Sequence, residues 1–290
     1  MKKKPDAEIT IHPPQPSDSR ALQNLLSRAR WKHIHQDWFE THELLELPPV
    51  LIACQNGHVI ACMSCPPEPE RIGWLRIFAI DSHFQPEALW EKLWPEIRTA
   101  AVTSGIDRVA ALCTTRWLSP ILYQADFTYE TDVIFLERAR STPPASRPIP
   151  GRMRTMKSED LDILTRLDHR AFSPIWRHSF DAMRRALEQA AFASVIEHEG
   201  KLLGYQISTS SMFGAHLARV AIDPVWQGKG LGTALVADTI HTLHGQGCMR
   251  ISVNTQADNY PSQKLYERLG FQRTGTRYPI LSQRLHSPIA

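Results

Sequence analysis

The chain has 290 residues, 42% hydrophobic and 22% charged, with 33 Lys and Arg against 30 Asp and Glu for a formal net charge of +3. This is the composition of a globular protein long enough for two domains, and the near balance of charge, with no Lys/Arg stripe, argues against nucleic acid as a partner. No run of about 18 apolar residues marks a membrane span, the basic tail Met1-Lys2-Lys3-Lys4 lacks the apolar stretch of a signal peptide, and five cysteines, an odd count, fit reduced thiols in a cytoplasmic protein.

In chain order, His33, His35 and His42 cluster where a partly exposed polar helix and loop are expected. Residues 52–61 read as strand, Gly-containing turn and strand. Cys62-Met63-Ser64-Cys65 is a lone pair without the second pair a zinc site needs, so no metal site is expected. Residues 78–81 form an apolar strand ending on Asp81. These elements return at a nearly constant spacing. Residues 195–204 repeat the 52–61 hairpin 143 positions on, Val220–Asp223 repeats Phe78–Asp81 after 142, and Ser262–Tyr266 repeats Ser119–Tyr123 after 143. A fixed offset is the mark of a tandem duplication. Residues 141–151 hold four prolines in eleven positions and read as an extended linker. The expected domains are therefore 8–140 and 152–290.

The second half reads as a strand at 152–156, then Ser158 as a helix N-cap before Leu161, Leu164 and Leu167 on one helix face. A loop at 171–176, a helix at 178–189 and strands at 193–198, 202–210 and 215–223 follow. Residues 229–245 read as a helix, 249–254 as a strand, 260–269 as a helix, and a strand runs on from 271. Strands 215–223 and 249–254 are joined by a helix and are expected to be parallel neighbours. Between them lies Gln227-Gly228-Lys229-Gly230-Leu231-Gly232, a glycine-rich turn opening a helix. Such a turn aims free backbone N–H groups and the positive helix end at a pyrophosphate. Its spacing is neither that of a dinucleotide-binding loop nor that of a P-loop.

The strand, the glycine turn, and the block from Asn259 through Ser262, Leu265 and Tyr266 to Gly270-Phe271 together resemble the GNAT (Gcn5-related N-acetyltransferase) family. The resemblance is clear over residues 152–285. It implies an α/β (α+β) fold of two tandem GNAT-like domains. Each would be a mixed, mainly antiparallel sheet flanked by helices, with a splayed parallel central strand pair. It also implies acetyl-CoA as co-substrate, its pantetheine on the backbone of Val220, Ala221 and Ile222. Gln227, Gly228, Lys229, Gly230, Leu231, Gly232 and Thr233 would hold the pyrophosphate, with Asn259 and Ser262 nearby. In the first half, Gln85-Pro86-Glu87-Ala88-Leu89-Trp90 overlies this turn with every glycine replaced. Trp90 is expected where a pyrophosphate would sit, so residues 8–140 would keep the fold and lose the cofactor site.

Acetyl transfer needs a neutral amine, a donor for the developing oxyanion and an acid for the departing thiolate. The resemblance makes Tyr266 the acid and a strand N–H at Ala221 or Ile222 the oxyanion donor. The base that some relatives carry as Glu on the strand before Asn259 is missing. Ser252 stands near that place and Asn254 follows, so either, or Gln256, would act through water, with His178 as another choice. The acceptor is a primary amine, a small molecule or a peptide N-terminus. Phe172, Trp176, Tyr205, Met212 and Phe213 suggest an apolar entrance. A non-catalytic acyl-CoA sensor is the alternative reading, and either a monomer or a homodimer is compatible.

Overall fold

The computed structural model describes residues 8–69, 71–139, 142, 144–145 and 148–285. The Met1–Lys4 tail and Ser141, Pro143, Ser146 and Arg147 of the proline-rich segment lie outside these residues. Two compact units form. The first runs to Glu130 and takes back the residues from Pro279 on, and the second is Thr131–Tyr278. These bounds differ from 8–140 and 152–290 because both fall inside strands.

In the first unit, β1 (Ile9–His12) is followed by α1 (Ser19–Arg28), β2 (Trp31–Ile34), α2 (Thr41–Leu44), β3 (Val50–Gln55) and β4 (His58–Ser64). Then come β5 (Ile72–Trp74), β6 (Ile77–Ile80), α3 (Pro86–Thr103), β7 (Arg108–Leu112) and α4 (Leu118–Gln124). β3 and β4 meet at Asn56-Gly57, both left-handed with φ of 53° and 76°, the two-residue connection that suits the strand twist. One sheet has the order β1-β3-β4-β6-β2. β5 runs parallel to β7, whose other neighbour is the antiparallel segment 280–284. The apolar positions of α3 turn Leu89, Trp90, Leu93, Trp94 and Ile97 into the core. Trp90 therefore does not occupy a phosphate position. It is 5% exposed, stacks on Trp94 at 5.0 Å and meets Phe78 edge-on at 5.5 Å. The histidine expectation also changes. His33 lies within β2, fully buried, with Nε2 3.1 Å from the Leu75 carbonyl, and His35 follows the strand beside the buried Arg76.

β8 (Thr128–Arg138) carries the chain into the second unit. There follow β9 (Arg152–Thr155), α5 (Leu161–Ala171), α6 (Phe180–Glu188), β10 (Phe192–His198), β11 (Lys201–Ser211) and β12 (Gly214–Ile222). α7 (Leu231–Gly245), β13 (Ile251–Gln256), α8 (Tyr260–Arg268) and β14 (Gln272–Arg284) complete it. The strand order here is β9-β10-β11-β12-β13-β8-β14. β12 and β13 are parallel over only three pairs, Ala215–Leu217 with Ile251–Val253. The register of β12 on β11 slips between Ile207 and Ser208, leaving Ala218 without a partner. Past this bulge β12 stays with β11 to Ile222 and parts from β13. The expected splay of a parallel pair is present in the second unit; in the first, the five-stranded sheet is antiparallel throughout, β6 lies between β4 and β2, and the parallel pairing is that of β5 with β7.

Candidate active site

The splay leaves one edge of β12 open. The Asp223 N–H donates to the Leu203 carbonyl at 2.8 Å. Pairing alternates along an antiparallel ladder, so Ala221 and Arg219 also turn their backbone groups to β11. Val220 and Ile222 turn theirs to the open side. Of the two amides expected to face an oxyanion, Ile222 is the one on that side. Its carbonyl accepts from Gln227 Nε2 at 3.1 Å, which ties the following loop to the strand end.

That loop is built by local capping. The Asp223 carboxylate accepts the Val225 N–H at 3.1 Å and pairs with Arg170 at 2.6 Å. Gly228 and Gly230 then take φ of 76° and 84°, a region that costs other residues about 1–2 kcal/mol. A Cβ at either would have nothing within 4 Å. Backbone conformation, not crowding, requires glycine here, and the space above the loop is open. α7 starts at Leu231, two residues later than its apolar pattern suggested, because these two glycines hold the chain out of the helix. The N–H groups of Leu231, Gly232 and Thr233 have no acceptor within the helix and face outward at its positive end. Gly232 answers to packing, since a Cβ there would come within 3.0 Å of Leu265. The Lys229 ammonium lies over the Trp226 ring at 4.4 Å.

Asn259 caps α8. Its side chain accepts the Ser262 N–H at 3.3 Å and donates to Gln256 at 3.2 Å. Two turns on from Asn259, Tyr266 is 7% exposed and packs on Phe271 at 5.7 Å within the apolar cluster of Leu217, Val236 and Val253. Burial pushes its phenol well above the ordinary tyrosine range, and its hydroxyl has no hydrogen-bond partner among the described residues. Ser252 sits where β12 and β13 are still paired, 2.9 Å from His216 Nδ1 and 3.3 Å from the Ala215 carbonyl. Asn254 is exposed, opposite Phe135 of β8. His178, in the turn before α6, donates its N–H to Asp168 at 3.0 Å.

Several residues went unread in the sequence. Asp168 is fully buried and accepts from Arg219 Nε and Nη2 at 2.9 and 2.6 Å and from the Tyr205 hydroxyl. Arg219 also donates to the Trp176 carbonyl at 2.6 Å and lies 3.7 Å over the Phe172 ring. Tyr205 is thus a buried anchor and no part of an apolar entrance, and burial beside the Asp168 carboxylate raises its phenol far above its usual range. Met212 and Phe213 are 90% and 80% exposed at the β11–β12 turn. The legible signal was an Asp on the apolar face of α5 and an Arg beside the bulge, two charges that must find each other once buried. A cavity of about 290 Å³ opens nearby, lined by residues that include Thr209, Phe213, His216 and Ser252.

The first unit fills the corresponding edge itself. Ile77–Ile80, the counterpart of the open stretch of β12, is paired along its free side by β2, Trp31 opposite Ile80 through Ile34 opposite Ile77. Its turn into α3 has no glycine, and Pro86 opens the helix.

Residues 161–271 match the model of the acetyltransferase (GNAT) family. The ribosomal protein bS18-alanine N-acetyltransferase of Escherichia coli (strain K12) is 27% identical over 133 residues, 45% of this chain and 88% of that enzyme. The mycothiol acetyltransferase of Saccharopolyspora erythraea is 30% identical over 128 residues, 40% of this chain and 42% of that enzyme. The structure of a tandem GNAT protein from the clavulanic acid biosynthesis pathway aligns over 97% of this chain and all (100%) of that one, with a TM-score of 0.68 at 14% identity. At that identity the likeness concerns the fold. Among the described residues no cluster of His, Cys, Asp or Glu suits a metal ion, and no helix is long and apolar enough to cross a membrane. The second unit therefore carries a domain of the acetyltransferase (GNAT) family, matched over residues 161–271.

Proposed function

We propose that the second unit binds one acetyl-CoA and passes its acetyl group to a primary amine, a small molecule or a peptide α-amine, by direct attack. The observation that carries this is the open β12 edge ending in the Gly228–Gly230 turn. The Val220 N–H and carbonyl and the Ile222 N–H, left without a strand partner, suit the amides of an extended arm, which would join the sheet as a strand does. The amides from Gly228 to Thr233 suit a pyrophosphate, and the free space over both glycines fits such a group. Asn259 and Ser262 start α8 beside this arm, and Gln227 keeps the loop in register with the strand.

Ile222 N–H is the oxyanion donor in this reading. Tyr266 is the general acid for the departing thiolate. Burial raises its phenol above the usual range, which makes it a weaker acid, so the role rests on its place in the Asn259–Phe271 block and not on its pKa. The first unit is read as having lost the cofactor site, since β2 lies along the edge an acyl-CoA arm would need. Calorimetric titration of the full chain with acetyl-CoA tests both points. One site per chain is expected, abolished by Gly230→Trp. Two sites would overturn the reading of the first unit, and none would overturn the proposal.

A further inference from the structure

The last turn of α5 is held against β12 at both ends of its open stretch. Before Val220, Asp168 accepts from the Arg219 guanidinium at 2.9 and 2.6 Å. Two residues further along α5, Arg170 pairs with Asp223 at 2.6 Å, just past Ile222. The two pairs have opposite polarity and differ in burial. The first is a buried anchor. In the second the Arg170 side chain is 52% exposed and that of Asp223 17%, and an exposed pair contributes little to stability.

Asp223 has a task of its own. Its carboxylate accepts the Val225 N–H at 3.1 Å and its carbonyl the Trp226 N–H at 2.8 Å, which folds the chain into the turn that leads to Gly228. Gln227 Nε2 donates back to the Ile222 carbonyl at 3.1 Å, so the neck of the loop is closed with Asp223 in it, between the strand edge and the glycine turn. On the reading above, that is where the acyl arm gives way to the pyrophosphate. A negative charge is unfavourable there, and Asp223 is the sole acidic residue between Glu199 and Asp238. Burial works to raise its carboxyl, but the bonds from Arg170 and the Val225 N–H outweigh burial and hold it below the ordinary carboxylate range, so the charge is present at neutral pH. Arg170 is placed to cancel it. Its guanidinium is fixed from two sides, with Nη1 on the Arg166 carbonyl at 3.2 Å and Nη2 on Asp223.

We propose that Arg170 is a positioning residue of the acyl-CoA site, which holds the loop-capping carboxylate of Asp223 in place and cancels its charge beside the phosphates. The inference rests on the acyl-CoA reading of this site and adds the charge balance that admits a polyanion. The turn needs the cap, and only the charge of the cap is at odds with the ligand. With Arg170 in place the pair is neutral, and the Lys229 ammonium over Trp226 sets the net charge of the loop. Without it, the carboxylate offsets Lys229.

Calorimetric titration of the full chain with acetyl-CoA tests this, at about 20 mM and about 500 mM KCl, conditions of weak and strong screening. At low salt Arg170→Gln should weaken binding about three- to tenfold, the scale of one unit charge acting through partly aqueous surroundings. Asp223→Asn keeps a capping oxygen for Val225 and should tighten binding about twofold or more. The double variant, neutral again, should return to within about twofold of the wild type, and so should Arg170→Lys, which keeps the charge. At high salt the four affinities of the wild type, the two single variants and the double variant should converge to within about twofold. A merely structural staple gives another pattern: both single variants weaken binding, the double variant does not recover, and salt leaves the ratios unaltered. That pattern, or an Arg170→Gln variant that binds as tightly as the wild type at low salt, overturns the inference and leaves the acyl-CoA reading standing. A wild type that binds no acetyl-CoA overturns both.

Discussion

Replacing Asp168 by Asn tests the largest electrostatic commitment in the second unit. Asp168 is fully buried, and the Arg219 side chain is 10% exposed. The carboxylate accepts two guanidinium N–H groups, the Tyr205 hydroxyl and the His178 N–H. Asn keeps the shape and removes the charge. Arg219 is then left with the Trp176 carbonyl and the Phe172 face. An uncompensated buried charge costs about 3–5 kcal/mol. At about 2–4 °C per kcal/mol for a body of this size, calorimetric scanning should show a transition lowered by roughly 6–20 °C. Removing the charge on both sides, Asp168→Asn with Arg219→Met, should recover at least half of that shift, since the penalty belongs to the unpaired ion and not to lost shape. Arg219 adjoins the bulge residue Ala218, so the single variant should also raise the KM for acetyl-CoA. A shift below about 2 °C, or a double variant no more stable than the single, would refute the reasoning.

Tyr266→Phe should lower kcat at least about tenfold, a floor set below the roughly 100-fold usual for loss of an acid, with acetyl-CoA affinity kept; unchanged turnover in a thiol-release assay removes Tyr266 from the chemistry. Gly230→Ala meets no atom but must hold a left-handed φ of 84°. The strain of about 1–2 kcal/mol corresponds to roughly 5–30-fold weaker acetyl-CoA binding by calorimetry, and an unaltered Kd argues against the cradle. In the first unit, burial lowers the His33 imidazole to about 4. Its folded value lies below the unfolded one of about 6.5, so the unfolded state binds the extra proton and stability falls as pH drops from 6.5 towards 4. The loss is roughly 3 kcal/mol from this group alone. Melting temperatures followed over that range should fall less steeply in His33→Asn, and an equal slope in both rules His33 out.

What the sequence made legible was periodic or local. The β3–β4 and β10–β11 hairpins, the strand into the glycine turn, and the Asn259–Phe271 block are each written in a dozen neighbouring residues, and each stands where expected. Ser158 shows how local signals compete. It was expected to cap α5, but the Asp160 carboxylate takes the Lys157 N–H at 2.8 Å and a bidentate pair with Arg154 as well. The unit boundaries were not legible, because nothing along β8 or β14 marks a point where a strand passes from one body to another. Trp90 was misread because the offset gives its place in the chain but not its direction. At the first turn of a helix lying on a sheet, that position faces inward, as the close approach of Leu265 to Gly232 shows in the other copy. The Asp168, Tyr205 and Arg219 group joins residues 37 and 51 positions apart, out of reach of any local pattern.

The two copies differ most in what they do with one strand edge. An open edge leaves backbone N–H and C=O groups to water or to a ligand, and it invites pairing with stray chains. The first unit closes its edge with β2 and seals the adjoining helix with Pro86, Trp90 and Trp94. Nothing in the physics of folding prevents the second unit from doing the same. It keeps its edge open instead, and it keeps two left-handed glycines at the end of that edge, each of which gives up backbone entropy on folding. Features that cost stability and pack against nothing persist where a ligand completes them. On that argument the acyl-CoA arm of the proposed reaction would be what completes Val220 and Ile222.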